Sequence, residues 1–170
     1  MSSTSEQMQT TEWVDIELAR MTEHDLLEVV EIEEQSGLSR WGWSAYYAEL
    51  QSRNRSLMLV ARLRRPLEHP DSYNLAGYVV ARVTAGELHI NNVAVRDAFR
   101  RRGIGAALLS RILQEGRELG GMTAFLEVRS SNVAAQALYK KCGFNPVANR
   151  RNYYTEPPED ALVMSAELKG

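Results

Sequence analysis

Between Glu87 and Arg129 the apolar residues change their spacing twice, and this restricts the fold more than any other feature of the chain. Leu88 and Ile90, then Val93 and Val95, recur at every second residue, as in a strand. Leu108, Leu109, Ile112, Gly116 and Leu119 follow helical spacing. From Thr123 to Arg129 the period returns to two, with Ala124, Leu126 and Val128 on one face and Phe125, Glu127 and Arg129 on the other. A strand, a helix and a strand in this order make a crossover, so two strands lie parallel in one sheet. The alternation of the first strand slips by one residue at Asn91-Asn92. Side chains alternate strictly along a strand, so the slip predicts a bulge that splays this strand from its neighbour and frees backbone amides for a ligand. The alternative is a strand buried on both faces, which needs no phase.

The turn between the first strand and the helix reads Arg100-Arg101-Arg102-Gly103-Ile104-Gly105-Ala106. Glycines at a helix start let backbone N–H groups close on an anion with no Cβ in the way. Arginines add charge and forked donors for phosphate oxygens. The segment predicts a pyrophosphate cradle. It is not a dinucleotide fingerprint, because Leu108 stands where the third glycine belongs. No Gly-Lys-Ser/Thr follows, so it is not a phosphate-loop ATPase motif either.

The remaining segments extend this into a mixed α/β sheet of element order β-α-α-β-β-β-α-β-α-β-β. Trp13 to Ala19 reads as a first strand. Thr22 and Asp25 form a capping box for a helix that Gly37 ends. Ser44 is placed to cap a second helix running to about Arg53. Leu57 to Leu63 and Leu75 to Val83 are strands, joined by the polar stretch Arg64 to Asn74. Ala85-Gly86 is a tight turn, which makes the next strand antiparallel. Asn132 caps a helix whose buried face is Ala135, Leu138, Tyr139 and Cys142, and Gly143 stops it. Phe144 to Ala148 and Ala161 to Leu168 are final strands, with Tyr153, Tyr154 and Pro157-Pro158 in a loop between them.

With 170 residues the chain suits a single domain, residues 13–170, preceded by a disordered polar tail over residues 1–12. A net charge of -2 argues against a nucleic-acid binder, and the local arginine run fits a small anion better than a duplex. Cys142 is the sole cysteine, which excludes an internal disulfide and fits a cytoplasmic protein. His24, His69 and His89 lack metal-ligand spacing, so no metal is expected. No apolar run is long enough to span a membrane, and residues 1–12 lack the order of a signal peptide.

At this level the chain resembles the GNAT acetyltransferases. Arg100-Arg101-Arg102-Gly103-Ile104-Gly105 fits their (Gln/Arg)-x-x-Gly-x-(Gly/Ala) motif for the pyrophosphate of acetyl-CoA. Within that superfamily it is similar to the RimI-type ribosomal-protein-alanine N-acetyltransferases. The segments that carry this are Asn92-Val93-Ala94-Val95, Leu126-Glu127-Val128-Arg129-Ser130-Ser131-Asn132, Ala137-Leu138-Tyr139, Cys142-Gly143-Phe144 and Arg150-Arg151-Asn152-Tyr153-Tyr154. The match is dense from about Asn91 to Ala166 and sparse before it, where Trp43-Ser44 is the main echo.

The resemblance implies the acyl-CoA N-acyltransferase fold, with splayed central strands flanked by helices. It implies acetyl-CoA as co-substrate and no metal. It assigns Glu127 as general base and Tyr139 as general acid. Arg100, Arg101, Arg102, Gly103, Ile104, Gly105 and Ala106 match the pyrophosphate site, Val93, Ala94 and Val95 the strand along the pantetheine, and Asn132 a further cofactor contact. Trp41, Trp43, Tyr153 and Tyr154 are candidate walls of a peptide slot between two loops; the alternative is that they pack the domain edge. The implied acceptor is a protein N-terminus, a ribosomal protein beginning with Ala; lysine side chains or small amines are the alternative. An α-amino group, with a pKa of about 7.7–8.0, needs only a modest base, whereas a lysine near about 10.4 needs a stronger one.

The same residues also have structural readings. Glu127 reads as a solvated strand carboxylate paired with Arg129, Tyr139 as core, Asn132 as a cap alone, and Cys142 as an inert core thiol. His89 is a second candidate for the base. The polar stretch from Arg64 to Asn74 departs from the family pattern as an insertion. The stretch Thr155 to Glu159 is shorter than in many relatives and bears on acceptor choice.

Overall fold

A computed structural model of the chain describes residues 15–38, 40–52, 56–64 and 73–168. The expected tail over residues 1–12 and residues 65–72 of the Arg64 to Asn74 connection lie outside the described residues. Seven strands and four α-helices follow in the order β1 (Ile16–Arg20), α1 (Leu26–Gln35), α2 (Gly42–Gln51), β2 (Ser56–Leu63), β3 (Leu75–Thr84), β4 (Glu87–Val95), α3 (Ile104–Glu118), β5 (Thr123–Arg129), α4 (Val133–Lys141), β6 (Asn145–Thr155) and β7 (Pro158–Glu167). They form one sheet in the order β1-β2-β3-β4-β5-β7-β6. The β4–β5 pair is parallel, as the crossover requires, and every other pair is antiparallel. The Ala85-Gly86 turn has positive φ at both residues, which gives a two-residue hairpin the twist of its strands.

Helices cover both faces. Leu108, Leu109 and Ile112 of α3 and Tyr139 of α4 pack with Leu59, Val79, Leu88 and Leu126 on one side. Leu26, Val29 and Ile32 of α1 and Tyr46 of α2 pack with Met58, Val60 and Val80 on the other. Each fully buried side chain of this size contributes about 1.5–3 kcal/mol by leaving water, so α3 is held by its packed face.

The phase slip in β4 is a bulge. Val80 of β3 pairs with Asn92 and Ala81 with Ile90, which leaves Asn91 as the extra residue. Before it, Leu88 and Ile90 pack on the α3 side. After it, Ala94 packs on the α1–α2 side while Val93 and Val95 turn to the α3 side. At the same level β4 and β5 part: their ladder ends at Ile90 and Leu126. One inserted residue thus both reverses the faces of β4 and opens the middle of the sheet.

Two expectations need correction. The second helix begins at Gly42, with Ser44 already inside it. The Trp41 and Gly42 N–H groups are taken by the Glu33 carboxylate of α1, so the cap comes from another helix instead of from a local serine. The stretch containing Tyr153 and Tyr154 is not a loop. It completes β6, which runs to Thr155 and pairs with a β7 that begins at Pro158. This edge strand is exposed along its length except at Tyr154, so no buried face imposes an apolar alternation on it. An irregularity between Arg150 and Tyr154, where Asn152 has φ of 51°, shifts its register.

Close backbone approach holds the splayed end of β4 in place. Gly77 pairs with Val95, and a Cβ on it would lie 2.5 Å from the Ala94 carbonyl oxygen. Gly77→Ala is expected to cost about 1–3 kcal/mol, because backbone must move to admit the methyl. Urea unfolding of the variant against wild type measures it.

Candidate functional site

The site is built on the gap between β4 and β5. On one bank, β4 from Asn92 to Val95 stays bonded to β3, while its other edge has no strand partner. On the opposite bank, Glu127, Val128 and Arg129 stay bonded to β7 but lack β4. A central sheet edge freed of its ladder demands other partners: the Val95 carbonyl accepts from Arg100 and the Arg129 carbonyl from Asn132 and Gln136, while the Val93 N–H is left to water or a bound molecule.

Below the gap, Gly103 takes φ of 79° at the start of α3, a left-handed conformation that favours glycine. Among the described residues no side chain caps this helix, and its first intrahelical bond runs from Ala107 to Gly103. The N–H groups of Ile104, Gly105 and Ala106 therefore point out of a positive helix end with no capping side chain. Arg101 and Arg102 are exposed beside it. Arg100 bends back: its Nε donates to the Val95 carbonyl at 3.1 Å and its guanidinium meets Asp97 at 2.7 Å. A Cβ on Gly105 would lie 3.1 Å from Leu138 of α4, so the start of α3 packs against the second half of α4. Asn132, by contrast, does cap α4, its Oδ1 accepting from the Ala135 N–H at 3.1 Å.

Glu127 stands one residue beyond the last β4–β5 pair, its side chain 20% exposed. Its cation is Arg150 at 3.5 Å and not the neighbouring Arg129, which turns to other partners. Arg150 lies over the Tyr153 ring, and Tyr153 meets Tyr154 edge to face at 5.1 Å. Tyr153 is 41% exposed while Tyr154 is buried beneath it. Tyr139 is buried on α4, with Tyr154 and Cys142 as its polar surroundings. Burial pushes its phenol well above the ordinary value, so it stays protonated through the neutral range. Burial likewise raises Tyr154, to about 12. Among the described residues the Tyr139 hydroxyl has no hydrogen-bond partner, and it is not sealed from solvent.

The third wall is the connection from α1 to α2. Trp43 stacks on Tyr47 at 4.9 Å and not on the β6 tyrosines. This connection is fastened by a buried polar chain the sequence did not disclose. Glu33, 1% exposed, accepts from the Trp41 and Gly42 N–H groups and from the Tyr46 hydroxyl at 3.0 Å. Tyr46 meets the Tyr78 hydroxyl at 2.8 Å, and Asn92 donates to Tyr46 at 2.7 Å. Asn92 is the first paired residue after the bulge, so the chain links the bulge to the α2 start. His89 sits before the gap, bonded to Glu87 at 3.2 Å and stacked on Phe125. Among the described residues no group of three or more His, Cys, Asp or Glu is placed to hold a metal ion, and no helix is long and apolar enough to cross a membrane.

The site is a parted central strand pair above the start of α3, and the model of the acetyltransferase (GNAT) family matches residues 26–144. The chain belongs to the GNAT acetyltransferase family. It is 34% identical over 146 residues to the [ribosomal protein bS18]-alanine N-acetyltransferase of Salmonella typhimurium, a match covering 85% of this chain and 92% of that protein. It is 42% identical over 96 residues to the Escherichia coli K12 protein of the same name, over 55% of this chain and 65% of that one. The crystal structure of the ribosomal-protein-S18-alanine N-acetyltransferase from Escherichia coli superimposes with a TM-score of 0.77 at 29% identity, covering 92% and 96% of the two chains.

Acetyl-CoA is the acetyl donor of this GNAT enzyme. The residues present fit it: the exposed arginines and the N–H groups of Ile104, Gly105 and Ala106 suit a diphosphate, and the free edge of β4 suits an amide-bearing chain.

Two outcomes follow from these contacts. Tyr46→Phe removes the hydroxyl shared by Glu33, Tyr78 and Asn92, and is expected to destabilise the enzyme by about 1–3 kcal/mol in chemical denaturation. The second concerns acid. Hydrogen bonds from Ser131, then from Arg129, hold the Glu159 carboxyl below the ordinary carboxylate range. A lowered folded pKa adds stability above the unfolded value and loses it as pH falls through the folded one. Glu159→Gln is therefore less stable than wild type at neutral pH, and the difference shrinks below about pH 4, as urea midpoints across that range will read.

Proposed function

We propose that this acetyltransferase modifies the N-terminal α-amino group of a protein, with ribosomal protein bS18 beginning in Ala as the acceptor and the cytoplasm as the compartment. The placement of Glu127 carries the reading: a half-buried carboxylate at the mouth of the gap, opposite the free edge of β4 and beside the β6 tyrosines. The names of the relatives point to the same acceptor.

Bound acetyl-CoA supplies an activated thioester carbonyl. Glu127 takes the proton of the incoming ammonium, either on Oε1 or through one water. Its ion pair with half-exposed Arg150 is worth only about 0–1 kcal/mol, so an amine replaces that cation at little cost. The α-amino group suits this base because its pKa is only about 7.7–8.0. The Val93 N–H, on the strand edge that β5 has left, is the donor for the carbonyl oxygen as it gains charge. The free amine attacks the carbonyl carbon; as the C–S bond breaks, Tyr139, protonated at neutral pH, gives its proton to the sulfur, and the second proton of the acylated nitrogen passes to the phenolate or to water. Asn132 and the α3 end hold the donor, while Tyr153 and Trp43 offer exposed aromatic faces to the peptide.

Mass spectrometry of acetyl transfer to two peptides tests this. One begins with free Ala; the other has a blocked N-terminus and an internal Lys. Product on the Ala peptide alone is expected, with Glu127→Gln and Tyr139→Phe each reducing kcat by about a hundredfold or more while acetyl-CoA still binds. Product mainly on the Lys peptide would replace the proposal with a lysine or small-amine acetyltransferase.

A further inference from the structure

Arg129 lies two residues beyond Glu127 on the same face of β5, about 7 Å further along the strand. Its side chain is 15% exposed, and each of its three guanidinium nitrogens donates a hydrogen bond. Nε donates to the Gly37 carbonyl, just past α1, at 2.9 Å. Nη1 donates to the Pro157 carbonyl at 3.1 Å and to Glu159 Oε2 at 3.3 Å. Nη2 donates to the Glu156 carbonyl at 3.1 Å. The guanidinium plane also lies 4.2 Å from the centre of the Tyr154 ring. The first contact belongs to the α1–α2 connection, and the others to the β6–β7 hairpin. The two segments thus meet at Arg129, two residues from Glu127 on the same face of β5 and beyond the level where β4 leaves β5.

We propose that Arg129 is the positioning residue of the acceptor slot: one guanidinium bridges its two walls and fixes their separation. This deepens the reading above, since it rests on the acceptor entering between those walls. The chemistry calls for arginine. A planar fork of five N–H donors reaches carbonyls in several directions while its face stacks on a ring. A lysine ammonium is a single point with three donors and cannot hold both segments. Because Arg129 points away from the α3 end, its influence falls on the acceptor and not on acetyl-CoA. Arg129 acts through the walls: it does not touch the reacting atoms. Glu159, itself tied to the Ser131 N–H at 2.7 Å, keeps the hairpin end of the bridge seated.

The test compares wild type, Arg129→Lys and Glu159→Gln by steady-state kinetics, acetyl-CoA titration and amide hydrogen exchange. For Arg129→Lys, the peptide KM is expected to rise about tenfold or more, with kcat changed less than about threefold and acetyl-CoA affinity held within about twofold. Exchange is expected to quicken at Gly37 and at Glu156–Glu159 together, and to stay unchanged in α3. Glu159→Gln should shift both readouts the same way and by less. Unchanged KM with both segments still protected overturns the proposal. So does loosening of one segment alone, or an equal loss of acetyl-CoA affinity. If wild type acetylates the Lys peptide instead, the N-terminal reading fails, and the bridge is judged by the KM for that acceptor and by the same exchange pattern.

Discussion

Everything distinctive in this protein depends on one extra residue in β4. Asn91 has no partner in β3, and from that level β4 and β5 no longer share hydrogen bonds. A parallel pair in the middle of a seven-stranded sheet is ordinarily its best-protected part. Here it is pried apart, which leaves backbone donors and acceptors open at the centre of the domain. The sheet tolerates this because each bank keeps a full ladder on its far side: β4 with β3, and β5 with β7. The gap is thus a rigid opening lined by backbone, and a carboxylate stands on its rim.

What flanks such an opening has to be fastened by side chains, since the usual ladder is missing. Two devices do this at different depths. The buried chain from Glu33 through Tyr46 and Tyr78 to Asn92 joins the start of α2 to the first residue after the bulge. It holds a carboxylate almost entirely out of water, with N–H and O–H donors in place of a cation. Removing any one member leaves its neighbours desolvated and unpaired, so the chain is held as a unit. Nearer the surface, the guanidinium of Arg129 does comparable work between the α1–α2 connection and the last hairpin.

Features with a local cause were legible in the sequence. The bulge showed as a slip of phase, the crossover as a change of period, and the Thr22–Asp25 box and the Asn132 cap as short-range spacing. The family motif then pointed to Glu127 and Tyr139, which periodicity alone would have left as a surface charge and a core ring. Features whose cause lies far along the chain were not legible. The α2 start is set by Glu33, eight and nine residues upstream of the N–H groups it accepts. The partner of Glu127 is Arg150 across the sheet, and that of Arg129 is a carbonyl 92 residues earlier. β6 carries no apolar signal because, apart from Tyr154, neither of its faces is buried.

The missing side chain at Gly105 has a consequence for the dimensions of the proposed site. With nothing but hydrogen on its Cα, α3 and α4 meet at van der Waals contact through Leu138, the residue before Tyr139. The N–H groups at the start of α3 and the Tyr139 phenol of α4 therefore sit on helices packed directly together. In the proposed reaction that fixed spacing would select a donor by its length between charge and sulfur as well as by its chemistry.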